Sequence, residues 1–372
     1  MKILYISHSS VLPAYREKIK WLVRKPGVVL TLLLPHSWPE GGKRLYSLGV
    51  RSEDYKVFSE PILFEGQPGW YVFPFLSRVI RRVKPDIIHL EEEYFSLTAW
   101  HAVSLASKIG VKTCFFTSET LQESFRWPQS AALNNVLANA SHAMAISQKA
   151  KNLLVRAGYP AGQITVLSHS LDPGVFKKSP QPALRRSLGL DGFTVGYLGR
   201  LVREKGVALL LEAAAKMKTK TRFLIVGDGP IKDELAGQAV RMGIADRVVF
   251  VRAVDNADVP AYLNCIDTLA VPSLTMPWWE EQFGRIIIEA QACEVPVVGS
   301  SSGSIPEVVG KAGLIFPEGD ASALAARLDK LAQSAALRKK LGQMGRKNVL
   351  ARYTDQKLAD AFYKIYKKVL AS

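Results

Sequence analysis

The chain has 372 residues, 48% hydrophobic and 22% charged, with 49 Lys and Arg against 33 Asp and Glu for a net charge of +16. That length accommodates two domains of ordinary size, and the composition is that of a soluble globular protein. No apolar run is long enough to span a bilayer, the N-terminus lacks a secretion-signal pattern, and Cys114, Cys265 and Cys293 are scattered, which predicts reduced thiols in a cytoplasmic protein and excludes a disulfide framework or a cysteine metal site.

In chain order, Lys2 to Ser7 is a short apolar run expected to form a buried central strand, followed by a polar turn from His8 to Pro13. Ala14 to Lys25 has apolar residues at helical spacing, and Val28 to Pro35 is a second strand, so the chain opens with a βαβ unit and a parallel sheet. Val72 to Val83 reads as a basic helix (Arg78, Arg81, Arg82, then Lys84), ended by Pro85 before the strand at 86–90. Helices are expected at Leu97 to Ile109, Ala131 to Ala140 and Gln148 to Ala157, and strands at Lys112 to Thr117, His142 to Ile146 and Ile164 to Leu167. This is a doubly wound, Rossmann-like half.

Pro173, Pro180 and Pro182 mark a polar connection, which places a domain boundary at 172/173. The second half repeats the rhythm: strands at Thr194 to Leu198, Arg222 to Val226, Arg247 to Val251 and Leu269 to Pro272 alternate with helices at Gly206 to Lys216, Ile231 to Met242 and Val259 to Asn264. Amphipathic helices follow at Leu324 to Ala332 and Leu337 to Ala351, and a final one runs from Asp355 to Leu370.

The stretch from Trp278 to Val298 carries the chemistry. Phe283-Gly284 turns the chain into a helix, whose first amides lack intrahelical partners and whose end is electropositive, so an anion can bind there. Glu281 before the turn and Glu289 within the helix are acceptors for hydroxyls on either side of a bound diphosphate, a combination that suits a sugar nucleotide. Gly199 to Gly206 follows the first strand of this half, where doubly wound sheets bind ligands, and Arg200 and Lys205 supply two cations for a diphosphate without a metal. The net charge points to nucleic acid, an anionic membrane or anionic ligands. No nucleic-acid-binding motif is present, which leaves the last two.

Val271-Pro272-Ser273, the glutamate pair around Phe283-Gly284, Glu289-Ala290 and Pro296-Val297-Val298 resemble the signature of the retaining glycosyltransferases of family 4. The resemblance implies the GT-B fold, two Rossmann-like domains facing a central cleft, with an acceptor domain at 1–172, a donor domain at 173–354 and the helix at 355–372 packing back on the first. It implies metal-independent, cofactor-free transfer of a hexose from a nucleotide sugar, UDP-glucose being the first choice, to a saccharide or lipid-linked acceptor in bacterial surface polysaccharide synthesis. Glu281 would hold sugar hydroxyls and Glu289 the ribose. Gly199, Gly227, Gln282, Phe283, Gly284 and Arg285 would line the donor, with Arg252 near the base. Arg200 and Lys205 would stabilise charge on the leaving diphosphate, which itself takes the acceptor proton.

The first half departs from the family pattern. Ser9-Ser10 replaces its glycine pair, His169-Ser170-Leu171-Asp172 replaces its Asn-Gly-Val-Asp, and Glu119 stands where it has a His near the reacting carbon. Of Glu91, Glu92 and Glu93, at least one is expected to face the cleft and two to be solvated or to bond an acceptor, since consecutive residues on an extended chain point in opposite directions. The basic helices at Arg16 to Lys25 and Arg78 to Lys84 suggest a peripheral contact with the inner face of the plasma membrane. Alternatives within the same architecture are a nucleotide-sugar epimerase, a phosphorylase and a non-catalytic nucleotide-sugar binding protein; a Rossmann dehydrogenase is disfavoured because neither half opens with Gly-x-Gly-x-x-Gly.

Overall fold

A computed structural model describes residues 1–40, 43–121 and 124–372. They form two compact units, one of residues 1–170 with 355–372 and one of residues 171–354. The first unit contains β1 (Lys2–Ile6), α1 (Glu17–Val23), β2 (Val29–Pro35), β3 (Ser37–Glu40), β4 (Lys43–Tyr46), β5 (Lys56–Glu60), α2 (Leu76–Val83), β6 (Ile87–Leu90), α3 (Leu97–Lys108), β7 (Lys112–Thr117), α4 (Gln129–Asn139), β8 (His142–Ala145), α5 (Gln148–Arg156) and β9 (Ile164–Val166). The second contains α6 (Pro182–Ser187), β10 (Phe193–Leu198), α7 (Val207–Lys216), β11 (Thr221–Val226), α8 (Lys232–Arg241), β12 (Val248–Val251), α9 (Val259–Leu263), β13 (Thr268–Val271), α10 (Arg285–Ala292), β14 (Val297–Ser300), α11 (Ile305–Val309), β15 (Gly313–Phe316), α12 (Ala321–Ala332) and α13 (Ala335–Arg352). The chain then returns to the first unit as α14 (Asp355–Ala371).

Each unit is built on one parallel sheet. The orders are β5-β2-β1-β6-β7-β8-β9 and β12-β11-β10-β13-β14-β15, so in both the first strand is flanked on one side by strands that follow it directly and on the other by strands that come later. Helices cover both faces of such sheets, and the strands accordingly read as continuous apolar runs: all four residues of β6 and of β13 are buried. In the second unit Val195, Tyr197 and Phe223 of the sheet pack with Leu210 of α7 and Leu324 and Leu328 of α12. In the first, α14 lies along α1 and buries Leu358, Phe362, Ile365, Tyr366 and Val369.

Several element boundaries differ from the sequence expectation. The helix expected over 72–83 begins only at Leu76, because Val72 bridges antiparallel to Leu63 and the residue preceding Pro74 is pushed out of the helical region. The helix expected over 14–25 is 3-10 from Pro13 to Arg16 and becomes α-helical at Glu17. Residues 36–71, where no element was predicted, hold the β3-β4 hairpin and β5, which extends the first sheet beside β2. The expected boundary at 172/173 compares with a division after Ser170.

Candidate active site

In sheets of this order ligands bind beyond the carboxyl ends of the strands where the order reverses. In the second unit that point lies between β10 and β13. The loop after β10 ends in Gly206 at φ +68°, and a Cβ there would lie 1.9 Å from the Pro272 carbonyl oxygen; only glycine lets this loop seat against the end of β13. The Leu274 amide donates to the Glu204 carbonyl at 2.8 Å, which holds the same two loops together again. Gly303, at φ +51°, does the equivalent for the loop after β14, where a Cβ would lie 2.2 Å from the Glu281 carbonyl oxygen, and the Ser304 amide donates to that oxygen at 2.8 Å.

This backbone framework brings Lys205 to Glu281. The ammonium donates to Glu281 Oε2 at 2.7 Å, Ser273 Oγ donates to the same oxygen at 2.9 Å, and the Trp279 ring lies 4.7 Å from the ammonium. Glu281 is buried and Lys205 half-buried. The two residues expected to act on the phosphate and on the sugar are thus brought together as an ion pair. Arg200 and Arg252 are exposed beyond β10 and β12. The Tyr197 hydroxyl donates to the Arg200 carbonyl at 2.6 Å and fixes the turn that presents Arg200.

Gly199 and Gly227 continue the ladder past the strand ends, their amides donating to the carbonyls of Val226 and Val251 at 3.0 Å each. After Gln282, the buried Phe283 packs edge-on to Tyr353 with ring centroids 6.0 Å apart. Gly284 is the N-cap of α10 and no side chain caps that end, so the helix start is the kind of end at which an anion can bind. One turn in, Arg285 Nε is 3.0 Å from Glu289 Oε1. Burial pushes the Glu289 carboxyl above its ordinary range, and Arg285 opposes the shift.

The corresponding point of the first unit lies between β1 and β6. An open cavity of about 190 Å³ sits there, lined by His8, Ser9, Tyr15, Phe116, Ser118 and His169 together with the three consecutive glutamates. None of those glutamates is a solvated side chain, contrary to expectation. Glu91 pairs with the buried Lys18 and accepts from Ser7 Oγ at 2.9 Å; despite burial, Lys18 holds its carboxyl below the ordinary range. Glu92 is bound by His8 and Tyr71. Glu93 accepts from Thr117 Oγ1 at 2.5 Å and from the Ser118 amide at 2.7 Å, and burial pushes its carboxyl up to about 7 against those two bonds. The alternation rule failed because β6 ends at Leu90 and the chain turns at once, the Ser96 amide bonding back to the Glu93 carbonyl at 3.0 Å.

Glu119, expected near a reacting carbon, turns onto its own loop. Its Oε1 accepts from the amides of Thr120 and Leu121 at 2.8 Å each, because the chain leaving β7 has amides that need an acceptor. Among the described residues no group of three or more His, Cys, Asp or Glu is arranged to hold a metal ion.

Two family descriptions match successive parts of the chain, together most of its length: "Glycosyltransferase Family 4" over residues 21–175 and "Glycosyl transferases group 1" over residues 181–348. The chain belongs to the group 1/family 4 glycosyltransferases. Its fold is GT-B, two Rossmann-like parallel-sheet units. The crystal structure of Anabaena Alr3699/HepE in complex with UDP matches at a TM-score of 0.78 and 23% identity, covering 99% of this chain and 100% of that one. The D-inositol 3-phosphate glycosyltransferase of Stackebrandtia nassauensis is 32% identical over 215 residues, 53% of this chain and 47% of the relative. A GDP-mannose-dependent alpha-(1-6)-phosphatidylinositol monomannoside mannosyltransferase of Mycolicibacterium smegmatis is 30% identical over 225 residues, 58% of this chain and 59% of the relative. The chain thus spans about half the length of the curated relatives it matches.

For this family member, sequence reasoning missed Trp279 as the ring over Lys205 and His8 as the partner of Glu92. The rule that singled out the loop after the first strand of the second half applies equally to the first half, and there it points to His8.

Proposed function

We propose that the protein transfers a hexose, with retention at the anomeric carbon and without a metal, from a nucleotide sugar held by the second unit to a saccharide or lipid-linked saccharide held by the first. The observation that carries this reading is the Lys205–Glu281–Ser273 cluster beside the uncapped start of α10. The start of α10 and the Arg200 guanidinium take the diphosphate and stabilise the charge that grows on it as the glycosidic bond breaks. Glu281, its charge balanced by Lys205, accepts from hexose hydroxyls, and Glu289 accepts from those of the ribose. Glucose from a UDP donor is the first candidate, supported by the fold shared with a protein crystallised with UDP and with UDP-glucose; the mannosyltransferase relative favours GDP-mannose as the second. A place in surface polysaccharide synthesis rests on the family resemblance. No helix among the described residues is long and apolar enough to cross a membrane; a cytoplasmic place, peripheral on the inner face of the plasma membrane, rests on the family resemblance and the basic helices.

Calorimetric titration with UDP-glucose, UDP-galactose, UDP-N-acetylglucosamine and GDP-mannose, without added metal, is expected to give one clear binder, with slow release of its nucleoside diphosphate. Binding of none would remove the donor site assigned to Arg200, Lys205, Glu281 and Glu289.

A further inference from the structure

The first sheet gathers positive charge at its amino end, away from the cavity that follows β1 at its carboxyl end. In register, Lys2 of β1 pairs with Val29 of β2, Thr31 of β2 with Lys56 of β5, and Leu33 with Phe58. Paired residues and residues two apart share a face of a parallel sheet, so Lys2, Val29, Thr31, Lys56 and Phe58 stand on one face. α2 packs on this sheet and sets the Arg82 guanidinium 4.8 Å from the centre of the Phe58 ring. A cavity of about 400 Å³ is lined by those five residues and by Arg82.

Its cations differ from others of the same unit. Lys18, Lys20 and Lys25 each meet a carboxylate, whereas among the described residues Lys2, Lys56 and Arg82 meet none. The Asp86 carboxylate accepts from the Lys2 backbone amide at 2.7 Å, and no acid lines the cavity. Three like charges around one cavity raise its potential, which an anion relieves. Thr31 is 4% exposed, and among the described residues its hydroxyl has no hydrogen-bond partner. A buried hydroxyl needs a partner, and here only the contents of the cavity can supply one.

We propose that this cavity binds a phosphoryl group, carried as a phosphate ester or a diphosphate. Lys2, Lys56 and Arg82 pair with its oxygens, Thr31 donates to one of them, and Val29 and Phe58 take the apolar part of the molecule that carries it. A carboxylate has one charge and two oxygens, too few for three cations and a hydroxyl. A phosphate monoester brings nearly two negative charges and three acceptor oxygens, which suits the set. The adjoining groove shares Val29, Lys56 and Phe58 but is lined by Glu53 and Asp54 as well, so the phosphoryl end lies toward Lys2 and Arg82. Phosphoryl groups of this kind occur on lipid headgroups and on soluble phosphates. The site belongs wholly to the first unit and does not depend on the donor site assigned to the second.

Inorganic pyrophosphate would be titrated calorimetrically into the full chain carrying Arg200→Ala, which removes the cation assigned to the donor diphosphate. Binding is expected to persist in that background. Adding Lys56→Gln or Arg82→Gln should weaken it by about tenfold each, and Thr31→Val, which keeps the shape of the side chain, by roughly threefold. Arg81→Gln, an exposed position of α2 outside the cavity, should leave it within about twofold. Thermal melting checks that each variant has folded. Loss of all pyrophosphate binding with Arg200→Ala overturns the proposal, because the anion then has one site, in the second unit. Weakening by Arg81→Gln as large as that by Arg82→Gln overturns it too, since it shows diffuse surface charge. Co-sedimentation with phosphatidylcholine vesicles containing phosphatidic acid separates the two sources. Sedimentation that falls with Lys56→Gln and Arg82→Gln assigns the site to a lipid headgroup. Pyrophosphate binding without sedimentation assigns it to a soluble phosphate.

Discussion

The two units reverse their strand order at the same place, after β1 in one and after β10 in the other, but the loops there are tied down by different means. In the second unit backbone meets backbone: Gly206 against Pro272, Leu274 to Glu204, Gly303 and Ser304 against Glu281. In the first unit side chains do that work. Glu91 is tied to Lys18 and Ser7, Glu92 to His8 and Tyr71, Glu93 to Thr117 and Ser118. Where backbone clamps the loops, the Lys205–Glu281–Ser273 cluster sits between them. Where carboxylates clamp them, each acid is committed to a partner, and His8, the partner of Glu92, also lines the cavity. One topology thus carries two differently built loop clusters, because topology places a site and loop residues decide what it does.

The largest effect that would break this comparison lies in the second unit. Lys205→Met should lower donor cleavage by about 1000-fold, or about 4 kcal/mol of barrier, since it removes a cation from the diphosphate side and leaves the Glu281 charge unbalanced. Lys18→Met, the same change made beside Glu91, should lower the melting temperature but leave binding of the nucleoside diphosphate unaltered. Equal loss of donor binding in both variants would erase the distinction between the units.

A second, smaller effect belongs to the first unit. Glu93 has its carboxyl raised to about 7 by burial, so between the ordinary glutamate range and 7 the folded state holds a proton that the unfolded chain has released. Stability therefore falls as pH rises through that window, by an amount on the order of 3 kcal/mol, and Glu93→Gln should flatten the slope in denaturant melts taken at several pH values. An unchanged slope would mean that Glu93 is ionised in the folded state near neutrality.

The smallest effect concerns charge at the surface. Arg81 and Arg82 are exposed on α2, and the Arg78 guanidinium lies 5.2 Å from the ring of the exposed Phe75, which together form a basic face with an apolar edge. Co-sedimentation with anionic vesicles at low salt should weaken by about 1 kcal/mol for each of Arg78→Gln and Arg81→Gln. Equal sedimentation of all three proteins would exclude α2 as the contact.

The alternation of strands and helices was legible because each buried strand is a compact apolar run and each helix carries its own period, and Gly284 marked the start of α10 without ambiguity. The β3-β4 hairpin and β5 were not legible: β4 is exposed or half-exposed throughout and β5 only partly buried, so neither leaves an apolar pattern. β14 was noticed as Pro296-Val297-Val298, a motif, and not as the strand it forms. In the site, glycines and glutamates were found from local spacing, whereas the pairing of Lys205 with Glu281 and of His8 with Glu92 joins loops far apart in sequence. Such pairs exist only once the sheet has set its strand order.

That α14 lies along α1 also sets a schedule for folding. The first unit is the first to be synthesised, yet its core includes Phe362 and Tyr366, and the Tyr366 hydroxyl reaches His89 Nδ1 at 2.5 Å in the middle of its sheet. The ribosome must make the whole second unit before that helix emerges, and at ~5–20 residues per second the wait is on the order of tens of seconds. During it the groove for α14 stands open with its apolar residues exposed, while the second unit, contiguous in the chain, can close as soon as α13 is out. The unit that begins first finishes last.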